Sequence, residues 1–116
     1  MNYQMPVAEL GVAELKQRID KGNAPVILDV REAHELRIAA LPPTAKSVHI
    51  PLGQLPARLA ELEPYKNEEI VVYCRSGGRS GMATSLLQQN GFKSVKNLRG
   101  GILAWSAEID PSVPTY

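Results

Sequence analysis

Cys74 is the only cysteine among 116 residues, and Arg75-Ser76-Gly77-Gly78-Arg79-Ser80 follows it directly. A thiol reacts as its thiolate, so the chemistry open to this segment depends on what acidifies Cys74. Three features act together. The loop feeds a predicted helix, whose exposed N-terminal amides favour an anion by roughly 0.3–1 kcal/mol. Gly77 and Gly78 let the backbone curl so that successive N–H groups form an anion-binding nest. Arg75 and Arg79 add guanidinium charge. One such charge about 5 Å away, at an effective dielectric of about 20, contributes roughly 3 kcal/mol, or about two pH units. On this reckoning the arginines are the main cause, and a thiol whose ordinary value is about 8.5 becomes largely thiolate at neutral pH.

Each part has a bland alternative. A lone cysteine at a strand end is by default a buried small hydrophobe, and a glycine pair followed by serine is by default a turn. The conjunction is harder to dismiss, because two arginines have no purpose in an ordinary tight turn between a strand and a helix.

The elements that must position the loop are legible on both sides. Ile70-Val71-Val72-Tyr73 is a β-branched run that reads as a buried strand ending at Cys74. After the loop a helix is predicted with Met82, Ala83, Leu86 and Leu87 inward, closed by Asn90-Gly91. Upstream, Val7 to Leu10 reads as a short strand. A helix follows on the stripe Val12, Leu15 and Ile19, with Glu14 and Arg18 at a supporting i, i+4 spacing. Val26 to Val30 is a second buried strand, Glu32 to Ala40 a weak helix, and Leu41-Pro42-Pro43-Thr44 a loop. Ser47 to Ile50 is a strand, and Leu52 to Leu62 an amphipathic helix stepping around Pro56. Lys93 to Asn97 is a last strand, Leu98-Arg99-Gly100-Gly101 a turn, and Ile102 to Ile109 a final helix. Strands alternating with helices predict an α/β fold, a largely parallel sheet with helices on both faces. Ligands of such sheets bind beyond the carboxyl ends of the strands, which is where Cys74 lies.

Length is consistent with one domain spanning 1–116, with a core of about 7–109 and a tail over 110–116. Thirteen basic and twelve acidic residues leave a net charge of +1, which argues against a nucleic-acid binder working through overall charge. Met1 to Pro6 shows no secretory signal, no apolar run reaches bilayer length, and a lone cysteine suits a reducing compartment. The expectation is a cytoplasmic protein with no membrane or nucleic-acid partner. His34 and His49 lack companions at ligand spacing, so no metal site and no cofactor is expected.

Taken in order, four segments resemble the rhodanese homology domain. Leu28-Asp29-Val30-Arg31-Glu32 is similar to that family's first signature strand, and Ile50-Pro51-Leu52 to the entry into its middle helix. The loop from Cys74 to Ser80 resembles its active-site loop. Leu98-Arg99-Gly100-Gly101 with Trp105 resembles its closing signature. The resemblance implies a three-layer α/β fold and a sulfurtransferase, with Cys74 as the nucleophile that carries sulfur as a persulfide. It implies a small donor or acceptor (thiosulfate, cyanide, a thiol) or a sulfur-relay protein as partner. One stretch departs from the pattern. The family's glycine-histidine-isoleucine segment is replaced by Ala39 to Ser47, which bears on partner choice.

Two rival readings share the loop physics. A cysteine-dependent phosphatase or arsenate reductase would place five residues between cysteine and arginine. Here Cys74 and Arg79 enclose only Arg75, Ser76, Gly77 and Gly78, a tighter cradle suited to one added sulfur. A non-catalytic interaction module is the rival from another class, set against the retained cysteine and both arginines. A redox sensor using the same thiol is a weaker third. Asp29 and Arg31 are expected to form a structural pair. His34 is placed on a solvated helix face, and His49 on a strand facing solvent. Trp105 is assigned to the core, with Gly100 and Gly101 in a close-packed turn.

Overall fold

The computed structural model describes residues 7–116. The reading of Met1 to Pro6 as free of a secretory signal therefore lies outside the described residues. Five strands form one sheet: β1 (Glu9–Leu10), β2 (Val26–Asp29), β3 (Ser47–His49), β4 (Glu69–Tyr73) and β5 (Ser94–Leu98). Their spatial order is β1-β5-β4-β2-β3, and every pairing is parallel. Helices α1 (Val12–Asp20), α2 (Ala33–Leu36) and α3 (Gly78–Gln89) lie in three of the four connections, and α4 (Gly101–Glu108) follows β5. The α/β fold read from the sequence is the fold observed.

The sheet is covered on both faces, which is why its central strands are apolar without alternation. β2 is buried at all four positions, and β4 at four of five. Alternate residues nonetheless serve different layers. Ile70, Val72 and Cys74 join one core with Leu55, Leu62, Ala83 and Leu87. Val71 and Tyr73 join the other with Leu15, Leu98, Ile102 and Trp105. Cys74 thus continues the β4 alternation toward the face covered by α3. Because β2 and β4 run in parallel register, with Asp29 opposite Tyr73, their carboxyl ends finish together at one end of the sheet.

Several local expectations are corrected. Leu52 to Leu62 forms no α-helix but two 3-10 segments, Leu52–Gln54 and Pro56–Tyr65, because Pro56 and Pro64 lack the N–H that an α-helix needs. Leu55 and Leu62 are still buried, so the apolar spacing served packing without setting the helix type. Met82, expected inward, is 56 % exposed; Ala83 and Leu87 are buried as expected, Leu86 packs against the core, and Ser80 and Thr84 complete the inward face. Arg18 does not pair with Glu14. It reaches Glu69 at 2.8 Å, while Lys16 and Asp20 make the i, i+4 pair. Among the described residues no helix is long and apolar enough to cross a membrane.

Candidate functional site

Tyr73 ends β4, and the chain turns at Gly77 before α3 begins at Gly78, still inside the loop. Gly77 has φ +114°, a left-handed conformation that costs other residues energy, and it is the helix N-cap. That turn aims two backbone donors at the thiol. Gly77 N–H points at Cys74 Sγ from 3.1 Å and Ser80 N–H from 3.4 Å, with Ser80 Oγ at 3.3 Å.

The loop's carbonyls point the other way, into the start of α4. Ile102 N–H donates to Cys74 O at 3.0 Å, and Leu103 N–H to Arg75 O at 3.1 Å. Gly101 makes that docking possible, since any Cβ there would stand 2.5 Å from Arg75 O and 2.6 Å from Cys74 O. So the Gly100-Gly101 turn is what holds the loop's carbonyls outward and its amides inward.

Asn97, near the end of β5, completes the scaffold. Its Nδ2 donates to Gly77 O at 3.1 Å, and its Oδ1 accepts the Ser80 hydroxyl at 2.6 Å. When Cys74 is a thiol it donates to Ser80 Oγ. When Cys74 is a thiolate, Ser80 can turn its hydrogen from Asn97 to the sulfur.

Burial of Cys74, which is 1 % exposed, pushes its pKa up. Hydrogen bonds outweigh that penalty: the Ser80 hydroxyl and the amides of Ser80, Gly77 and Ser76 together bring the thiol below its ordinary value. The expected dominance of arginine charge is therefore corrected. Arg79 is engaged by Glu35, with Nη1 to Oε1 at 2.6 Å and Nη2 to Oε2 at 2.9 Å. Arg75 is exposed, its guanidinium 5.3 Å from the centre of the Tyr116 ring.

Arg31 is fully buried and forks onto Asp29, Nη2 to Oδ2 at 2.8 Å, as the structural pair expected. Its Nη1 donates to Tyr116 Oη at 2.9 Å. Tyr116 in turn donates to Glu35 Oε2 at 2.8 Å, so the segment assigned as a tail packs back beside the loop. His34 is exposed, as expected. His49 is not simply solvent-facing: it is half-buried, and its Nε2 donates to Arg31 O at 2.7 Å. Trp105 is core, at 1 % exposure. A hollow of about 180 Å³ lies among Leu41, Pro42, Pro43, Val48, His49 and Tyr73, and no residue of the 74–80 loop lines it.

Sequence reasoning missed Asn97, Glu35 and Tyr116. Two of them left a trace. Asn97 is a polar residue at a buried strand position beside Leu98, and Glu32 with Glu35 has the spacing of a capping box, which the structure forms. Nothing in the sequence signals that Tyr116 returns.

The match that decides the family is to the rhodanese-like domain, over residues 11–108. The chain belongs to that family. It is 36 % identical to a putative sulfurtransferase, YtwF, of Bacillus subtilis, over 92 % of this chain and 98 % of that protein. It is 39 % identical to an adenylyltransferase and sulfurtransferase, MOCS3-1, of Zea mays, over 94 % of this chain but only 24 % of the maize protein's length. A crystal structure of a rhodanese-related protein from Thermoplasma volcanium superposes with a TM-score of 0.75 at 31 % identity, covering 88 % of this chain and 93 % of that one. The rhodanese-like domain here thus has relatives named sulfurtransferases, one of nearly the same length and one of much greater length.

Proposed function

We propose that the protein is a sulfurtransferase in which Cys74 carries sulfane sulfur as a persulfide. The observation that carries this reading is the aim of the Gly77 and Ser80 amides and the Ser80 hydroxyl at Cys74 Sγ, within a loop that encloses four residues between Cys74 and Arg79. The relatives' names support it at the level of sulfur transfer.

In loading, the Cys74 thiolate attacks the outer sulfur of the donor, and the donor's own S–S bond breaks. From thiosulfate, sulfite leaves with the bonding pair. The product, Cys74–S–S⁻, places its terminal sulfur about 2 Å beyond Sγ. That spacing matters because Cys74 itself is almost wholly covered, so the added atom is the one an acceptor meets. In discharge a nucleophile such as cyanide or a thiol attacks the terminal sulfur, and Cys74 leaves as the thiolate that its hydrogen bonds already favour. The amides of the loop hold the negative charge at both stages without a metal or a cofactor. Ser76, Gly78 and Arg75 form the exposed rim through which donor and acceptor approach. Donors fitting this scheme are thiosulfate or a protein persulfide, and acceptors are small thiophiles or a sulfur-relay protein.

The phosphatase reading fits less well. Asp29 is held by Arg31 and is not poised as a general acid, and Arg79 is already engaged by Glu35. The test is a transfer assay. The protein incubated with a sulfane donor and cyanide is expected to release thiocyanate. Cys74→Ser is expected to abolish release while unfolding at the same temperature as the parent. Activity surviving in Cys74→Ser, or no thiocyanate from either thiosulfate or a persulfide donor, overturns the proposal.

A further inference from the structure

The two arginines of the loop are not equivalent. Arg79 meets the Glu35 carboxylate fork on fork, at 2.6 and 2.9 Å, a geometry that fixes both groups. The Glu35 side chain is only 8 % exposed, while solvent reaches the Arg79 side chain, which is 35 % exposed, and screens the pair in part. Glu35 is anchored from two further directions, by the Tyr116 hydroxyl at 2.8 Å and the Glu32 amide at 3.0 Å. A carboxylate held by three partners does not swing away to release its arginine. Arg31, the other buried cation nearby, is likewise matched by Asp29. Among the described residues Arg75 is the one loop cation with no carboxylate in ion-pair contact, and it lies exposed against the Tyr116 ring. Two guanidinium charges set against one carboxylate leave the loop a single net positive charge.

We infer that Glu35 is a specificity-determining residue. By pairing with Arg79 it withholds one positive charge from the site, and it tilts Cys74 toward persulfide donors and away from dianions such as thiosulfate. The inference rests on the sulfur-transfer reading and names the donor class within it.

The charge balance of the two loading reactions shows why the pairing discriminates. With a persulfide, Cys74–S⁻ attacks the outer sulfur of R–S–SH. The donor's S–S bond breaks, the leaving RS⁻ takes up the more acidic persulfide proton, and the products are Cys74–S–S⁻ and RSH, so a single negative charge is present throughout. With thiosulfate, Cys74–S⁻ meets a dianion, and the products are Cys74–S–S⁻ and sulfite, itself a dianion. Three negative charges must then share the site. Every positive charge taken away costs that second route more, because Coulomb energy scales with the product of the charges. Inorganic phosphate and sulfate are disfavoured on the same ground.

The test is Glu35→Gln, which removes the charge and keeps the shape and one acceptor oxygen. Glu35→Met removes the same charge should glutamine not be tolerated. The quantity to read is the ratio of kcat/KM for thiosulfate to kcat/KM for cysteine persulfide. It is expected to rise about tenfold in the variant, with a steeper fall in thiosulfate use as salt is added. Glu35→Gln combined with Arg79→Gln restores the original net charge, and the ratio should return toward that of the unaltered protein. A merely structural role for Glu35 would lower both donors together. An unmoved ratio, or one that stays high in the double variant, overturns the inference.

A second measurement does not depend on sulfur transfer. Inorganic sulfate should shield Cys74 from alkylation at about tenfold lower concentration in Glu35→Gln than in the unaltered protein. Equal shielding overturns the inference even if no donor ever loads Cys74, and failure of loading alone counts against the sulfurtransferase reading.

Discussion

Gly101 stands so close to the carbonyl of Cys74 that a Cβ on it would lie 2.6 Å from that oxygen. Its φ of +59° is also a conformation that costs an L-residue about 1–2 kcal/mol. Gly101→Ala is therefore expected to destabilise the protein by at least about 2 kcal/mol and to tilt the whole loop. Urea unfolding measures the first effect. The second shows as a rise in the Cys74 pKa, since the Gly77 and Ser80 amides would no longer converge on the sulfur.

The Cys74 thiol is predicted to titrate below its ordinary value, as read from thiolate absorbance against pH. Ser80→Ala removes a hydroxyl 3.3 Å from the sulfur. A hydrogen bond to a charged group contributes about 1.5–3 kcal/mol, so the midpoint should rise. Arg75→Ala should move it less. Arg75 shifting the midpoint further than Ser80 would restore charge, in place of hydrogen bonding, as the cause of the acidity.

Glu35 should make the protein acid-sensitive. Its hydrogen bonds from Arg79 lower its pKa to about 2, below the ordinary carboxylate value of about 4.3. Its stabilising effect is thus fully present above the ordinary value and is lost as pH falls toward 2. The effect is no more than about 3 kcal/mol, reduced by the solvent that reaches Arg79. Denaturant unfolding at a series of pH values is expected to show Glu35→Gln less stable near neutrality, with the gap narrowing below pH 4 or so.

Helix α3 offers a control on packing. Leu87→Ala should cost about 2–5 kcal/mol, because Leu87 is fully buried. Met82→Gln should stay within about 0.5 kcal/mol, because Met82 faces solvent. In thermal or denaturant unfolding Leu87→Ala is the reference for a buried position, and Met82→Gln tells the observed exposure of Met82 from the inward placement its apolar character suggested.

How far the sequence carried follows from which interactions are local. Strand β4, the loop after it and the start of α3 were legible because β-branched runs and a glycine pair act within a few residues. On α3 the apolar spacing placed Ala83, Leu86 and Leu87 on the inward face and failed at Met82, because Ser80 and Thr84, small and polar, fill the rest of that face. Leu52 to Leu62 had helical spacing, but two prolines decided the backbone. The cause of Cys74 acidity was misjudged because the partner of Arg79 lies 44 residues away, on α2, and no spacing rule reaches that far. Tyr116 was missed for the same reason, being 81 residues from Glu35.

Intact mass spectrometry of the protein after exposure to a persulfide donor tests the central claim most directly. The account predicts a gain of about 32 Da, one sulfur atom, located on Cys74, removed by cyanide and absent from Cys74→Ser. A mass that does not change, or a sulfur found on another residue, would contradict it.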